Sequence, residues 1–102
     1  MLNFFKKLFK NLSSEIKELP EEGSIIIDVR TPFEFKSGHF PGSKNIPLDL
    51  LPGKIDELKK LNKTIITVCR SGARSSSAKD MLLKAGINAY DAGAWTNLKH
   101  QV

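Results

Sequence analysis

A single cysteine in 102 residues excludes an internal disulfide. The only histidines, His39 and His100, are far apart, so no cysteine–histidine zinc set can be built, and neither metal nor cofactor is expected. Long hydrophobic runs are missing, and none approaches the length of a membrane span. Lysines interrupt the apolar residues near the start and no small-residue cleavage site follows, which argues against a secretory leader. Repeats, low-complexity tracts and linkers are also missing, so one domain is expected. The net charge is +5, yet arginines and aromatics form no interleaved stripe, and nucleic acid is not an expected partner. What remains is a small anion or an anionic surface. A lone thiol suits a reducing compartment, and the expected location is the cytoplasm.

What is present is an apolar share of 40%, enough for one small core. The stretch Thr64 to Ala85 organises the rest. It opens on Thr64-Ile65-Ile66-Thr67-Val68, an unbroken β-branched run that reads as a buried strand. Cys69 follows, then the loop Arg70-Ser71-Gly72-Ala73-Arg74. Ala78, Met81, Leu82 and Ala85 then recur on one helical face, and Gly86 stands where a left-handed cap would end that helix.

This order of elements has a chemical use. The free N–H groups of a helix N-terminus, with its partial positive charge, form an anion nest under a curled loop. A cysteine at the rim of that nest favours its thiolate, the nucleophilic form. Arg70 and Arg74 add fixed charge and forked donors. The residues thus point to a nucleophilic Cys69 and a small oxyanion substrate, rather than to an inert core cysteine.

Other segments fill in an α/β chain. Residues 1–12 place Leu2, Phe5, Leu8, Phe9 and Leu12 on one face with Lys6, Lys7 and Lys10 as the only charges. This basic amphipathic segment is expected to pack on protein; contact with an anionic membrane surface is the alternative. Residues 13–102 form the domain proper. A short helix is expected from Ser13 or Ser14 to Pro20, and a buried strand from Ser24 to Val29. Thr31-Pro32 starts a helix that Gly38 ends, with Phe33 and Phe35 expected to pack. If the Ser24–Val29 and Thr64–Val68 strands lie side by side, Asp28, Arg30 and Cys69 share one rim. Asp28 then either accepts hydrogen bonds from the cysteine loop or caps its own turn, and Arg30 is expected to give structural support, paired with Glu34 to tether the following turn. Further on come an extended segment over residues 43–47, a helix over 53–61, a short strand over 88–90, a turn from Asp91 to Trp95 and a final short helix. Strands alternating with helical stretches, without tight hairpins, imply a parallel sheet with helices on both faces.

Three stretches carry a family resemblance. CRSGARS, from Cys69, resembles the active-site loop of the rhodanese-like sulfurtransferases. IIIDVRTPFEFKSGHFPGSKNIPL, from Ile25, resembles that family's first signature, and YDAGAWTNL, from Tyr90, its closing segment. The resemblance implies an open parallel sheet flanked by helices, and a single-domain enzyme that moves sulfane sulfur. A small anionic donor such as thiosulfate would leave a persulfide on Cys69, stabilised by the amides of residues 70–74, with Arg74 and Arg70 holding the sulfonate. Cyanide, a small thiol or a thioredoxin-like protein would accept the sulfur. The resemblance also puts His39 in a structural turn, as a hydrogen-bonded imidazole, and Trp95 near the mouth of the site, where it either walls the pocket or closes the core. Two other functions fit such a chain. One is a non-catalytic partner-binding module, against which the presence of Cys69 counts. The other is a phosphatase or arsenate reductase, whose loop in this fold carries five residues between cysteine and arginine where this chain has four.

Overall fold

The structure, a computed structural model, describes residues 23–101. The amphipathic segment 1–12 and the expected helix before Pro20 lie outside the described residues.

Four parallel strands form one sheet: β1 (Ile25–Asp28), β2 (Lys44–Asn45), β3 (Ile65–Cys69) and β4 (Ala89–Ala94), in the spatial order β2-β1-β3-β4. β3 is central and buried along its whole length, which is why it reads as an uninterrupted apolar and β-branched run. Its register sets Asp28 beside Val68 and Cys69 beside Ala94. Three α-helices connect the strands: α1 (Pro32–Ser37), α2 (Ile55–Leu61) and α3 (Ala73–Lys84). A 3-10 segment, Leu48–Lys54, leads into α2, and a second, Trp95–Gln101, follows β4.

Alternation along the strands sorts side chains into two cores. Ile27, Val29, Ile65 and Cys69 face Leu51, Leu58, Ala78 and Leu82, so α2, α3 and the first 3-10 segment cover that side. Ile26, Ile66 and Val68 face Phe40, Ala92 and Leu98 on the other side. Helical segments thus cover both faces of a parallel sheet, as the strand–helix alternation implies. No helix among the described residues is long and apolar enough to cross a membrane.

Local signals explain the ends of the helices. Thr31 Oγ1 accepts the Glu34 N–H while the Thr31 N–H reaches Glu34 Oε1, a capping box with Pro32 in the first turn. At the end of α3, Gly86 N–H bonds Leu83 O and Ile87 N–H bonds Leu82 O, with Gly86 at φ +85°, a Schellman cap.

Two expectations need correction. Asp91 to Trp95 is not a turn: β4 runs on to Ala94 through a β-bulge that sets Thr67 against Asp91 and Val68 against Gly93. Asp91 Oδ1 accepts the Gly93 N–H at 2.8 Å and Gly93 adopts φ +76°, so the small residues that resemble a turn serve to bend a strand. Phe33 does not pack; it is 80% exposed. α1 buries none of its residues, so that helix has no core for Phe33 to enter.

Candidate active site

The site begins at the last residue of β3. Cys69 points to the α3 side of the sheet and is 1% exposed. The chain turns at Gly72, whose φ of +110° opens α3 without a side-chain cap. The sulfur stands in for the missing cap: Gly72 N–H donates to Cys69 Sγ at 2.9 Å. The first turn of α3 carries no acidic residue, so the positive end of the helix dipole is left facing the sulfur. Ser75, fully buried one turn into α3, accepts from the Cys69 thiol at 3.3 Å and donates to Gly72 O at 3.1 Å; when the thiol ionises, that one hydroxyl proton turns from Gly72 O to the sulfur. Thr67 Oγ1, inside β3, donates to Ser75 O at 2.9 Å and ties that turn to the strand.

These contacts decide the charge on the sulfur. Burial by itself pushes the Cys69 thiol up, the largest single influence. The Ser75 hydroxyl and the backbone N–H groups of Ser75, Gly72 and Ser71 together outweigh it, and the thiol titrates below its ordinary value. Ser71 and Ala73 of the loop are exposed, as is Arg70, which makes no ion pair among the described residues.

Arg74 is differently employed. Its guanidinium forms a two-pronged ion pair with Glu34, at 2.8 and 3.1 Å, tying α1 to the first turn of α3. The hydrogen bond from Arg74, then that from the Thr31 N–H, holds the Glu34 carboxyl down at about 2. A lowered carboxyl pKa means that the tie is fully present above the ordinary value of 4.5 and is lost as pH falls through about 2.

Asp28 and Arg30 form a separate cluster. Because Asp28 is in register with Val68, it lies on the opposite face of the sheet from Cys69. It is fully buried and accepts from the Arg30 N–H at 3.0 Å and from Arg30 Nε and Nη2 at 2.9 and 2.8 Å. It therefore caps its own turn and takes no hydrogen bond from the cysteine loop. Nor does Arg30 pair with Glu34: it holds Asp28, donates to Gly38 O at 2.7 Å, and lies 4.9 Å over the Trp95 ring. Trp95 thus clamps the arginine that shapes the β1–α1 turn, with its ring against Gly38. His39 Nδ1 lies 2.7 Å from Phe35 O and its ring stacks on Phe35 at 3.7 Å, so its polar contact is with a turn carbonyl.

Ser75, Thr67 and Asn45 are the participants that motif reading passes over, and Glu34, expected to pair with Arg30, pairs with Arg74 instead. Asn45 Nδ2 bridges Asp28 O and Arg30 O at 2.9 and 3.0 Å, locking the start of the β1–α1 turn. Thr67 offers a signal, a hydroxyl in the middle of an apolar strand; Ser75 is hidden in the run Ser75-Ser76-Ser77.

A parallel α/β sheet with a buried cysteine at the carboxyl end of an inner strand, against the N-terminus of the following helix, is the class of architecture the site defines. The comparisons narrow the class. The sequence profile of the Rhodanese-like domain matches residues 12–99, and the chain belongs to that family. A mitochondrial relative in Schizosaccharomyces pombe is 36% identical over 110 residues, covering 89% of this chain and 72% of its own length. The thiosulfate sulfurtransferase GlpE of Pseudomonas syringae is 33% identical over 81 residues, covering 78% of this chain and 76% of its own. Among solved structures, a rhodanese with anions from E. coli superposes with a TM-score of 0.67 at 29% identity, over 74% of this chain and 92% of that one. The chain spans from 18% to 76% of the length of eight curated relatives.

Proposed function

We propose that the protein is a single-domain sulfurtransferase that carries sulfane sulfur on Cys69. The observation that carries this reading is the 2.9 Å hydrogen bond from the Gly72 N–H to Cys69 Sγ at the head of α3. A sulfur so placed has its thiolate favoured relative to an ordinary thiol and lies beside an anion nest.

The thiolate attacks the outer sulfur of a thiosulfate-like donor. A sulfur–sulfur bond forms to Sγ, the donor's own sulfur–sulfur bond breaks, and sulfite leaves with its electron pair. The loop amides that lower the thiol pKa then face the negative outer sulfur of the persulfide, preorganised dipoles that need no rearrangement. Arg70, exposed and unpaired, is the cation free to meet the sulfonate; Arg74 contributes charge at longer range while its fork holds Glu34. Cyanide or a thiol takes the outer sulfur and restores the Cys69 thiolate, a ping-pong cycle. A reducing cytoplasm suits such a thiol. Names among the relatives agree with sulfur chemistry.

Intact mass measured after incubation with thiosulfate tests the reading. One added sulfur atom is expected, absent in Cys69→Ala. No gain in the wild-type chain would turn the reading to a partner-binding module. Turnover of an aryl phosphate without turnover of thiosulfate would turn it to a phosphatase.

A further inference from the structure

The cysteine loop carries a forked donor that it does not offer to its substrate. Arg74 stands two residues after Gly72 and one before Ser75, both of which hydrogen-bond Cys69 Sγ. It lies in the first turn of α3, and the charge on Cys69 acts on its guanidinium. Yet its Nη1 and Nη2 meet the two carboxylate oxygens of Glu34, at 2.8 and 3.1 Å. A guanidinium grips a carboxylate and a tetrahedral oxyanion in the same way, through two parallel N–H bonds. The Glu34 carboxylate therefore stands where two oxygens of an oxyanion would.

α1 fixes the carboxylate in that place. The Thr31 N–H and the Thr31 hydroxyl both donate to Glu34 Oε1, at 2.9 and 3.2 Å, within the helix cap. The carboxyl titrates at about 2, so the fork stays filled at neutral pH. Arg70 is left as an exposed loop cation with no ion pair among the described residues. Two kinds of anion feel this differently, because they differ at the atom under attack. In thiosulfate the outer sulfur carries no oxygen, and in-line attack by Sγ points the sulfonate away from the loop. In phosphate the attacked phosphorus itself carries the oxygens, which would have to lie in the loop. A filled fork thus opposes phosphate more than it opposes a sulfane donor.

We propose that Glu34 is a specificity-determining residue: by filling the Arg74 fork it denies inorganic phosphate and similar oxyanions a two-pronged seat at Cys69 while admitting a sulfane donor. This deepens the sulfur-transfer reading of Cys69 and rests on it.

The test measures how well inorganic phosphate protects Cys69 of the full chain from iodoacetamide, each variant being compared with its own rate without phosphate. Glu34→Gln removes the charge and keeps the cap of α1, because glutamine closes a capping box as glutamate does. Glu34→Ala removes the acceptor altogether. Both are expected to tighten phosphate binding by about tenfold, the strength of a charge-assisted hydrogen bond. The KM for thiosulfate is expected to fall by no more than about twofold. Arg74→Lys added to Glu34→Gln keeps the charge and removes the fork, and is expected to return phosphate binding to the wild-type level. Unchanged phosphate binding in both single variants overturns the proposal. So does a gain that survives Arg74→Lys, or an equal gain for thiosulfate. Phosphate protection needs no sulfur donor, so the two readings fail separately: a wild-type chain that takes no sulfur from thiosulfate overturns the sulfur-transfer reading instead.

Discussion

The two ends of the sheet are built from the same strands and helices and offer opposite environments. At the carboxyl end, Cys69 Sγ lies against the amino terminus of α3, with Gly72, Ser71 and Ser75 donating toward it. At the amino end, a cleft of about 380 Å³ opens between the last residues of α2 and α3 and the starts of β3 and β4. Its floor is Leu58 and Ile87; its rim is Lys59, Lys63 and Asn62, with Asn88 donating to Thr64 across it. Among the described residues, the cleft is lined by no thiol and no carboxylate. Helices that return a chain to the next parallel strand run opposite to the strands. They bring their positive ends to the carboxyl edge and their carbonyl ends to the amino edge. Lys59 and Lys60 lie in the last turn of α2, where positive charge suits the carbonyl end. The polarity of the helices therefore favours a thiolate at the carboxyl end.

Three sets of substitutions sharpen that contrast. The largest effect is expected from Arg30→Met. It leaves Asp28 fully buried at the carboxyl end with its charge unpaired, and urea unfolding is expected to show a loss of about 3–5 kcal/mol. Asp28→Leu combined with Arg30→Met should recover much of it; a loss below about 1 kcal/mol in the single variant would show that the pair is idle.

Ser75→Ala comes next. The hydroxyl that helps to lower the Cys69 thiol is removed, so the midpoint of iodoacetamide alkylation against pH should move up. The thiolate is the form present above the midpoint and lost as pH falls through it, so alkylation at a pH below both midpoints should slow by about tenfold, a charged hydrogen bond's worth. An unmoved midpoint would assign the lowered pKa to the backbone amides alone.

Smallest of all is the effect of Lys59→Ala with Lys63→Ala at the amino end. Sulfur transfer is expected to be unchanged and stability to shift by no more than about 0.5 kcal/mol per site. A drop in turnover with these variants would break the contrast between the two ends.

Much of this is legible in the residues because it is local. Six consecutive positions hold the thiol, the loop and the head of α3, and Thr31, Pro32 and Glu34 cap α1 within one turn. Less legible were Phe33, an apolar residue on a helix with no buried face, and β4, whose Gly93 bulge imitates a turn.

Strand runs, helix caps and the cysteine loop followed from the sequence by itself, because each depends on neighbours within a turn or two. The tertiary structure alone decided which charges meet. Glu34 and Arg74 are 40 residues apart and pair only once α1 and α3 flank the same rim. Whether Asp28 faces the thiol was settled by strand register: a shift of one residue would turn it to the other face, and the observed pairing with Val68 sends it away from Cys69.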